Sequence, residues 1–487
     1  MRTGLAKDDL KSRCTPAYAG HSIITLAIMG GFKFIVPAAD PLTPLGVEIL
    51  GIFMGMVYGW LVVGDLIWPS IAGMIFLGLS DYSTVVDEFA SGFGNNTVLL
   101  ILFFFLFTNI INSAGIIEYV AQWILSRKFA YGRPWVLALL LMLAAVVAFF
   151  MVSATAACLV MIPLIKTISF LYGFKPGDKW PMLMLGGLIY VGSTSYMLLP
   201  YKTLPLVVFA GYEAVTGETI AYLPYLLIAL AATGVAIILF LLMCKFVFRP
   251  DVSSIVNCKV SFEKNAELSE YQKFVFLFFA VTLGLLMISN IIPGSVFPFS
   301  ILKEIGSTGI LAAAVMFYLA CQLKEGQTIN ELFSKNISWN IIFLMAAAMS
   351  ISDAFMSDQT GITEWMTSVI VPLVQGTNSV VFIIIVCVIC CIFTNLAHNL
   401  TAGAILTPII LPIADVFGLN LPALVLCMMV VFDVGIILPP ASTVGAMFHS
   451  DSEWVPGKSA YFYGIVYSVL NLFNAVFIVY PLGCMLM

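Results

Sequence analysis

The sequence predicts an all-α polytopic membrane protein with about eleven transmembrane helices plus two re-entrant helical hairpins in an inverted repeat. Of its 487 residues, 61% are hydrophobic and only 10% are charged, whereas a soluble globular chain carries about 25% charged residues. Apolar runs of about 20 residues, the length that crosses a bilayer, recur from end to end. The short alternating segments typical of a β-barrel do not occur in the sequence.

The apolar segments fall into two halves of similar length. Residues 1–20 are polar and charged, and we expect a cytoplasmic tail there because no signal-peptide pattern precedes the first apolar run. The first half spans 21–248 and the second spans 273–487, with a polar cytoplasmic linker at 249–272. The predicted crossings lie at 21–37, 43–63, 66–80, 96–113, 180–212, 220–248, 273–291, 306–322, 338–356, 420–448 and 458–486.

Two further apolar segments, 134–170 and 378–414, are predicted to be re-entrant hairpins. Each is interrupted by a polar cluster, at Ser153 in the first and at His398 in the second. A polar cluster inside a long apolar region is costly and is usually functional. The segments at 180–212 and 420–448 contain glycine and proline near their centres, so both are predicted to be broken helices.

The distribution of basic residues predicts the orientation in the membrane. If both hairpins enter and leave on the same side, nearly all Lys and Arg residues fall in cytoplasmic segments. External segments then contain Lys303, with Lys33 near the outer end of the first helix, and acidic residues such as Asp81 and Glu213. We therefore predict a multi-pass protein of the inner (plasma) membrane, with the N-terminus cytoplasmic and the C-terminus external.

The two halves contain the same landmarks at an almost constant spacing. Landmarks of the first half match those of the second in pairs: Ser153 with His398, Pro163 with Pro408, and Gly192 with Gly435. In the predicted topology the first hairpin opens inward and the second opens outward, so the repeats are inverted. Inverted repeats with broken helices near the midplane are characteristic of secondary transporters.

Four irregular segments are the candidate functional site, because irregular backbone at membrane depth survives only where it is buried in protein or lines a polar cavity. They are the two hairpin tips and the two helix breaks. Half-helix N-termini offer N–H groups and partial positive charge, which suit carboxylates. Hydroxyls and freed backbone carbonyls are oxygen ligands that suit Na⁺.

This pattern resembles the divalent anion/sodium symporter family of di- and tricarboxylate transporters, within the ion-transporter superfamily. Members carry Ser-Asn-Thr near each hairpin tip, followed by small residues and a proline. Here Ser153-Ala154-Thr155 and His398-Asn399-Leu400-Thr401 occupy those places, each followed by a proline. The resemblance implies a homodimer with a scaffold and a moving transport domain, which works by an elevator motion. It also implies substrate between the tips and one Na⁺ site per repeat, between a tip and the neighbouring broken helix.

The candidate site residues follow from this resemblance and from the four irregular segments. The substrate-binding candidates are Ser153, Ala154, Thr155, Lys202, Thr203, His398, Asn399, Leu400 and Thr401. The ion-binding candidates are Ser153, Gly192, Ser193, Thr194, Thr394, Asn399, Asp433, Ser442 and Thr443.

Three positions depart from the family pattern, which affects the prediction of sodium coupling. Ala154 replaces Asn, His398 replaces Ser and Leu400 replaces Thr. Na⁺-independent members of the family can use basic side chains in place of bound cations, and Lys202 and His398 are candidates for that role. The alternatives are a neutral His398 satisfied by backbone carbonyls and a Lys202 that snorkels to an interface.

The sequence therefore predicts a secondary active transporter of small anionic carboxylates, by Na⁺ symport or anion exchange. The alternative is another carrier of the superfamily, of the arsenite or Na⁺/H⁺ type, with Asp433 as the cation or proton site. Asp433 could also be the ion-pair partner of Lys202 or His398. An intramembrane enzyme would have to join Ser153 and His398 as nucleophile and base, and neither the duplication nor the hairpins serve hydrolysis. We expect no enzymatic activity, no cofactor besides a possible Na⁺, and no nucleic-acid partner; the GxxxxGK[ST] pattern does not occur.

Overall fold

The computed structural model describes residues 15–116, 119, 132–257, 268–291, 299–321, 337–365, 368–369 and 378–487. Within these residues all regular secondary structure is helical, which confirms the all-α polytopic class. Most of the predicted tail, 1–20, and the centre of the predicted linker, 249–272, lie outside the described residues.

The first helices begin at capped prolines. Helix α1 is Pro16–Ile35, and α2 is Pro44–Tyr58, which continues as a π-helical turn over Gly59–Val63. Thr15 and Thr43 accept hydrogen bonds from the first turns, and proline fits the first helical position because its missing N–H has no helical partner there. Helix α1 therefore begins before residue 21. Helices α3 (Trp68–Leu79), α4 (Val85–Gly94) and α5 (Asn96–Ser113) follow.

The first predicted hairpin and the first broken helix follow next. The hairpin consists of α6 (Pro134–Met151) and α7 (Ala154–Leu171). The broken helix consists of α8 (Lys179–Tyr196) and α9 (Thr203–Thr216). After it come α10 (Tyr222–Leu242), which continues as a π-helix over Met243–Phe248, and the short α11 (Ser253–Asn257).

The second half begins with α12 (Glu270–Ile291), α13 (Phe299–Cys321) and α14 (Trp339–Met356). The second hairpin is α15 (Ser379–Leu396) and α16 (Asn399–Val416), and the second broken helix is α17 (Leu421–Asp433) and α18 (Thr443–Ser450). A 3₁₀ turn, Pro439–Ala441, lies in that second break. Helix α19 (Gly457–Asn474), a π-helical turn (Ala475–Val479) and α20 (Tyr480–Leu486) end the chain.

Among the described residues, 11 helices are long and apolar enough to cross a membrane. They are not the same eleven as the predicted crossings, because they include the four hairpin arms and leave out α3, α5 and all parts of the two broken helices. Helices α4 and α5 form a further pair, bent by 49° between Gly94 and Asn96. The side on which each helix end lies, and hence the inversion of the repeats, stays a prediction.

The two halves interlock at their irregular segments. Helix α9 of the first half packs along α16 of the second hairpin, while α18 packs against α7 of the first hairpin. Glycines allow the close approach of α9 and α16: a Cβ on Gly403 would lie 3.2 Å from the Leu204 side chain, and one on Gly211 would lie 3.0 Å from Thr407. This packing brings the two tips and the two breaks together in the middle of the protein.

Gly192 provides a test of this packing. A Cβ at Gly192 would lie 2.5 Å from the Phe149 ring of the first hairpin, so Gly192→Ala must displace a buried aromatic side chain. We expect a loss of stability of about 1–3 kcal/mol. The matched control is Gly234→Ala in α10, where a Cβ meets nothing within 4 Å and where alanine favours the helix. Thermal unfolding in detergent should show a lower midpoint for the first variant alone; equal midpoints would contradict the packing.

Candidate functional site

Four helices begin at the wall of one internal cavity of about 460 Å³. They are α7, α9, α16 and α18, and they follow the first tip, the first break, the second tip and the second break. The first two residues of each helix line the cavity: Ala154 and Thr155, Thr203 and Leu204, Asn399 and Leu400, Thr443 and Val444. The cavity is therefore surrounded by half-helix N-termini.

The backbone gives this cavity a positive character. Each helix N-terminus carries roughly half a positive elementary charge and up to four N–H groups without a helical partner. Among the described residues that line the cavity, Asp433 is the only acidic one, and none is Lys or Arg. Such an arrangement suits a small anion that accepts several hydrogen bonds.

The first hairpin tip is joined to the second break. Ser153 caps α7, and its Oγ accepts a hydrogen bond from the Ala156 N–H at 3.3 Å. The hydroxyls of Thr155 and Thr443 lie 3.0 Å apart and form a hydrogen bond across the two repeats. The tip therefore contributes a hydroxyl that is already fixed in position by the opposite repeat.

Lys202 lies behind the cavity wall, and its side chain is only 1% exposed. Its Nζ donates hydrogen bonds to the carbonyl of Val152, at 2.7 Å, and to that of Phe149. These carbonyls end the first hairpin arm, so the ammonium offsets the negative end of the α6 dipole. The lysine does not snorkel to an interface, and it does not line the cavity.

Tyr196 separates Lys202 from the cavity. The Lys202 Nζ lies 4.1 Å from the centre of the Tyr196 ring, a cation–π geometry. Tyr196 lines the cavity, and its hydroxyl pairs with the Thr203 hydroxyl at 3.1 Å. Lys202 therefore acts on the cavity through the shape of the tip and through its field, while Tyr196 and Thr203 form the surface.

The second tip is capped by its own side chains. His398 Nδ1 accepts a hydrogen bond from the Leu400 N–H at 3.4 Å, and Asn399 Oδ1 accepts from the same N–H at 2.9 Å. An imidazole nitrogen that accepts a backbone N–H carries no proton, which agrees with a neutral histidine in this state. Both side chains line the cavity, whereas Thr401 is buried outside its wall.

The second break is held to the second hairpin arm by polar side chains. Thr394 Oγ1 donates to the Phe432 carbonyl at 3.1 Å, and Asn395 Oδ1 accepts from the Ile437 N–H at 2.8 Å. Ser442 Oγ donates to the Gly435 carbonyl at 2.7 Å. These bonds satisfy backbone groups that the break frees, so Thr394 serves the fold directly and does not line the cavity.

Gly435 allows two backbone oxygens to approach the same point of this break. A Cβ on Gly435 would lie 3.2 Å from the Ala441 carbonyl oxygen and 3.3 Å from the Thr394 carbonyl oxygen. No Lys or Arg occurs between Lys335 and Lys458, so no counterpart of Lys202 can cap this group. Neutral oxygens gathered at one point suit a hard monovalent cation.

Asp433 ends α17 at the cavity wall. It is 4% exposed, and its Oδ2 has no hydrogen-bond partner among the residues that the structure describes. Lys202 acts on it electrostatically, but the two form no direct ion pair among the described residues. A buried carboxyl group without a partner is costly unless it is neutral or binds a ligand.

Most of the predicted site residues share this one cavity. Those on its wall are Ser153, Ala154, Thr155, Ser193, Thr203, His398, Asn399, Leu400, Asp433, Ser442 and Thr443. The others are buried beside it: Gly192, Thr194, Lys202, Thr394 and Thr401. Thr194, for example, donates to the carbonyl of Tyr190 inside its own helix.

Several wall residues were not predicted from the sequence. They are Leu66, Phe105, Tyr196, Leu204, Ser338, Asn340, Ile341 and Val444. A smaller cavity of about 210 Å³, lined by the α2–α3 loop, shares Leu66 and Asn340 with the main one. The α2–α3 loop and the start of α14 therefore line one continuous opening of the cavity, which we call the mouth. Asn340 could have been found from the sequence, because it is a polar residue at the beginning of an apolar helix.

Two helical hairpins whose tips meet two broken helices around a buried cavity define a polytopic membrane transporter. The chain belongs to the citrate transporter family, whose model matches residues 49–431. This match confirms the resemblance at the level of the ion-transporter superfamily. The family and the structural neighbours indicate a carrier rather than an enzyme.

Two solved transporters share the fold. The YdaH transporter of Alcanivorax borkumensis aligns with a TM-score of 0.61 at 14% identity, over 96% of this chain and 97% of that one. MtrF of Neisseria gonorrhoeae, described with a class of antimetabolite efflux pumps, aligns with a TM-score of 0.61 at 15% identity, over 97% and 95%. No curated protein matches the sequence.

The Thr155–Thr443 hydrogen bond can be tested with a double-mutant cycle. Thr155→Val and Thr443→Val should each lower stability by about 1 kcal/mol, and the double variant should cost less than the sum because both remove one bond. The control is Thr167→Val, an exposed hydroxyl that bonds only within its own helix. Strictly additive losses of thermal stability would show that the hydroxyls do not pair.

Proposed function

We propose that the protein carries a small di- or tricarboxylate, of the citrate type, across the plasma membrane by alternating access. The observation that carries this proposal is the convergence of four helix N-termini on one cavity, with no Lys or Arg among the described residues of its wall. The family match supports a substrate of this class. A cavity of about 460 Å³ falls within the usual range for small-molecule sites.

In this proposal the substrate carboxylates lie against the helix N-termini. One carboxylate accepts hydrogen bonds from the first tip, at Ser153 and Thr155, and another from the second tip, at Asn399. Thr203 and Thr443 add hydroxyls from the two breaks. Preformed N–H groups and hydroxyls bind carboxylates without the full charge of a lysine or arginine, and moderate affinity lets the carrier release its substrate.

The charge on Lys202 affects whether substrate transport needs a coupled cation. Its ammonium binds the Phe149 and Val152 carbonyls behind the first tip, where a carrier without such a lysine would have free oxygens for a cation. We therefore propose that the first repeat needs no Na⁺ to hold its tip in the binding conformation. The oxygens beside Gly435 remain available to a cation, so a weak Na⁺ dependence would arise in the second repeat.

The position of the cavity mouth supports a proposal about which conformation of the transport cycle this structure represents. The mouth is formed by the α2–α3 loop around Gly64–Trp68 and by the start of α14, including Asn340. In the topology predicted from the basic residues, both segments are cytoplasmic. We propose that this structure is an inward-open state and that the hairpins and broken helices move together, as an elevator, within a homodimer.

Asp433 favours a second candidate function. Its unpartnered carboxyl oxygen at the cavity wall is the feature expected of a cation or proton carrier. An arsenite or Na⁺/H⁺ carrier would require Asp433, whereas a sodium-independent carboxylate exchanger would not need it as a ligand. Asp433→Asn separates the two: retained citrate binding supports the carboxylate carrier, and loss of a cation response without any anion response supports the alternative.

Ligand-dependent thermal stability tests the substrate class. Citrate, malate and succinate should raise the unfolding midpoint of the purified protein, while acetate should not, because one carboxylate cannot reach both tips. At a ligand concentration 100 times Kd the stabilisation should be about 2.7 kcal/mol. Asn399→Ala should weaken the citrate effect, and Thr167→Val should not. If no carboxylate shifts the midpoint while Na⁺ or pH does, the carboxylate proposal is wrong.

Lys202→Met tests the proposed independence from sodium. The methionine has a similar length but leaves two buried carbonyls without a donor, each at a cost of about 1–3 kcal/mol. In vesicles without Na⁺, we expect exchange of labelled citrate to fall at least tenfold, with partial recovery when Na⁺ is added. The control is Lys175→Met, which removes an exposed lysine. Exchange at the wild-type rate in Na⁺-free medium would contradict the role given to Lys202.

A further inference from the structure

A second group of buried polar atoms lies on α19, away from the cavity wall. The side chains of Tyr467, Ser468, Asn471 and Asn474 are at most 3% exposed. Within the described part of the chain, the Tyr467 hydroxyl, Ser468 Oγ, Asn471 Oδ1 and Asn474 Oδ1 have no hydrogen-bond partner that meets ordinary distance and angle criteria. Unsatisfied polar atoms are rare in protein interiors, so four on one helix face require a ligand.

The two asparagines are held in fixed orientations by their amide nitrogens. Asn471 Nδ2 donates to the Val430 carbonyl of α17 at 2.7 Å, and Asn474 Nδ2 donates to the Ala232 carbonyl of α10 at 2.8 Å. Each carboxamide oxygen is therefore left as a buried acceptor between packed helices. The Cys391 thiol lies against Ser468 and is only a weak hydrogen-bonding group.

The helix geometry decides which ligand fits these oxygens. Ser468, Asn471 and Asn474 follow each other at three-residue steps, so they are about 4.5 Å apart along the axis and span about 9 Å. A single metal ion cannot bind oxygens spread over that length, since even Ca²⁺ keeps its ligands within about 2.6 Å. Water molecules, which bridge polar atoms at about 2.8 Å on each side, fit this spacing.

We propose that the face of α19 formed by Tyr467, Ser468, Asn471 and Asn474 binds a file of water molecules inside the protein. Each water donates to one of the acceptor oxygens and is held by its neighbours, as buried waters commonly are. Tyr190 of α8, whose ring stacks on Tyr467 with centroids 5.3 Å apart, contributes another unpartnered hydroxyl to the same place.

The position of the file relates it to the second hairpin and its neighbouring break. Cys391, beside Ser468, belongs to α15, and its carbonyl accepts a hydrogen bond from Asn395 Nδ2 at 2.7 Å. Asn471 binds α17 at Val430, three residues before Asp433. The file therefore lies beside the second hairpin and its neighbouring break, and none of its residues lines the cavity.

Radiolytic hydroxyl-radical footprinting tests this proposal in the whole protein in lipid nanodiscs. Radicals form from water at its binding sites, so a buried tyrosine beside a bound water is oxidised faster than an equally buried one in a dry place. Tyr467 is the probe. Tyr225 is the matched control, because it is 1% exposed but donates its hydroxyl to the Met197 carbonyl. We expect Tyr467 to be oxidised several-fold faster, and equal rates would overturn the proposal.

A second comparison tests whether the named oxygens hold the water. Ser468→Ala combined with Asn471→Leu should lower the oxidation of Tyr467 to the rate of Tyr225. The control is Ser169→Ala, which removes a buried hydroxyl bonded within α7. If the double variant does not fold, Ser468→Ala alone should still slow the oxidation of Tyr467. An unchanged rate in the folded variants would show that these oxygens hold no water, whatever the transported substrate is.

Discussion

A helix that stops inside a bilayer leaves N–H and C=O groups that lipid cannot satisfy, and the rest of this structure depends on how these groups are satisfied. The carbonyls that end α6 are capped by Lys202, and those at the second break are served by Thr394, Ser442 and neighbouring backbone. The N–H groups that begin the next helices are only partly capped by side chains. The cavity lies where these remaining donors converge, so the proposed anion site arises from the same interruption of the helices.

The two halves of the chain satisfy the freed backbone groups by different means. In our proposal this difference determines how each half responds to ions. The first uses the amino group of Lys202, which is part of the chain and is therefore present at every step of a transport cycle. The second uses neutral groups, an unpartnered Asp433 and, in our proposal, bound water behind α15. In our proposal, the first tip stays formed without an added ion, and any sensitivity to ions lies in the second repeat.

The sequence predicted both hairpins and both breaks because each boundary has a local chemical cause. Ser153 and His398 cap helices, and the prolines and glycines of the breaks cannot continue one. The direction in which each side chain points could not be predicted from local sequence in this way. Lys202 is at the predicted break, but only the fold turns its ammonium toward the α6 carbonyls and behind Tyr196. Thr394 and Thr401 have the right residue type for the site but do not line the cavity, and Asn340 lies on its wall because α14 packs against the second hairpin.

We propose that a carboxylate anion binds between the N-termini of α7 and α16. A cryo-electron microscopy structure of the protein in nanodiscs with saturating citrate, compared with a structure without added anion, tests this binding most directly. We expect citrate density that bridges Thr155 and Asn399, with Lys202 Nζ still bound to the Val152 carbonyl. A cavity without anion density, or citrate found only at the mouth near Asp65, would contradict it.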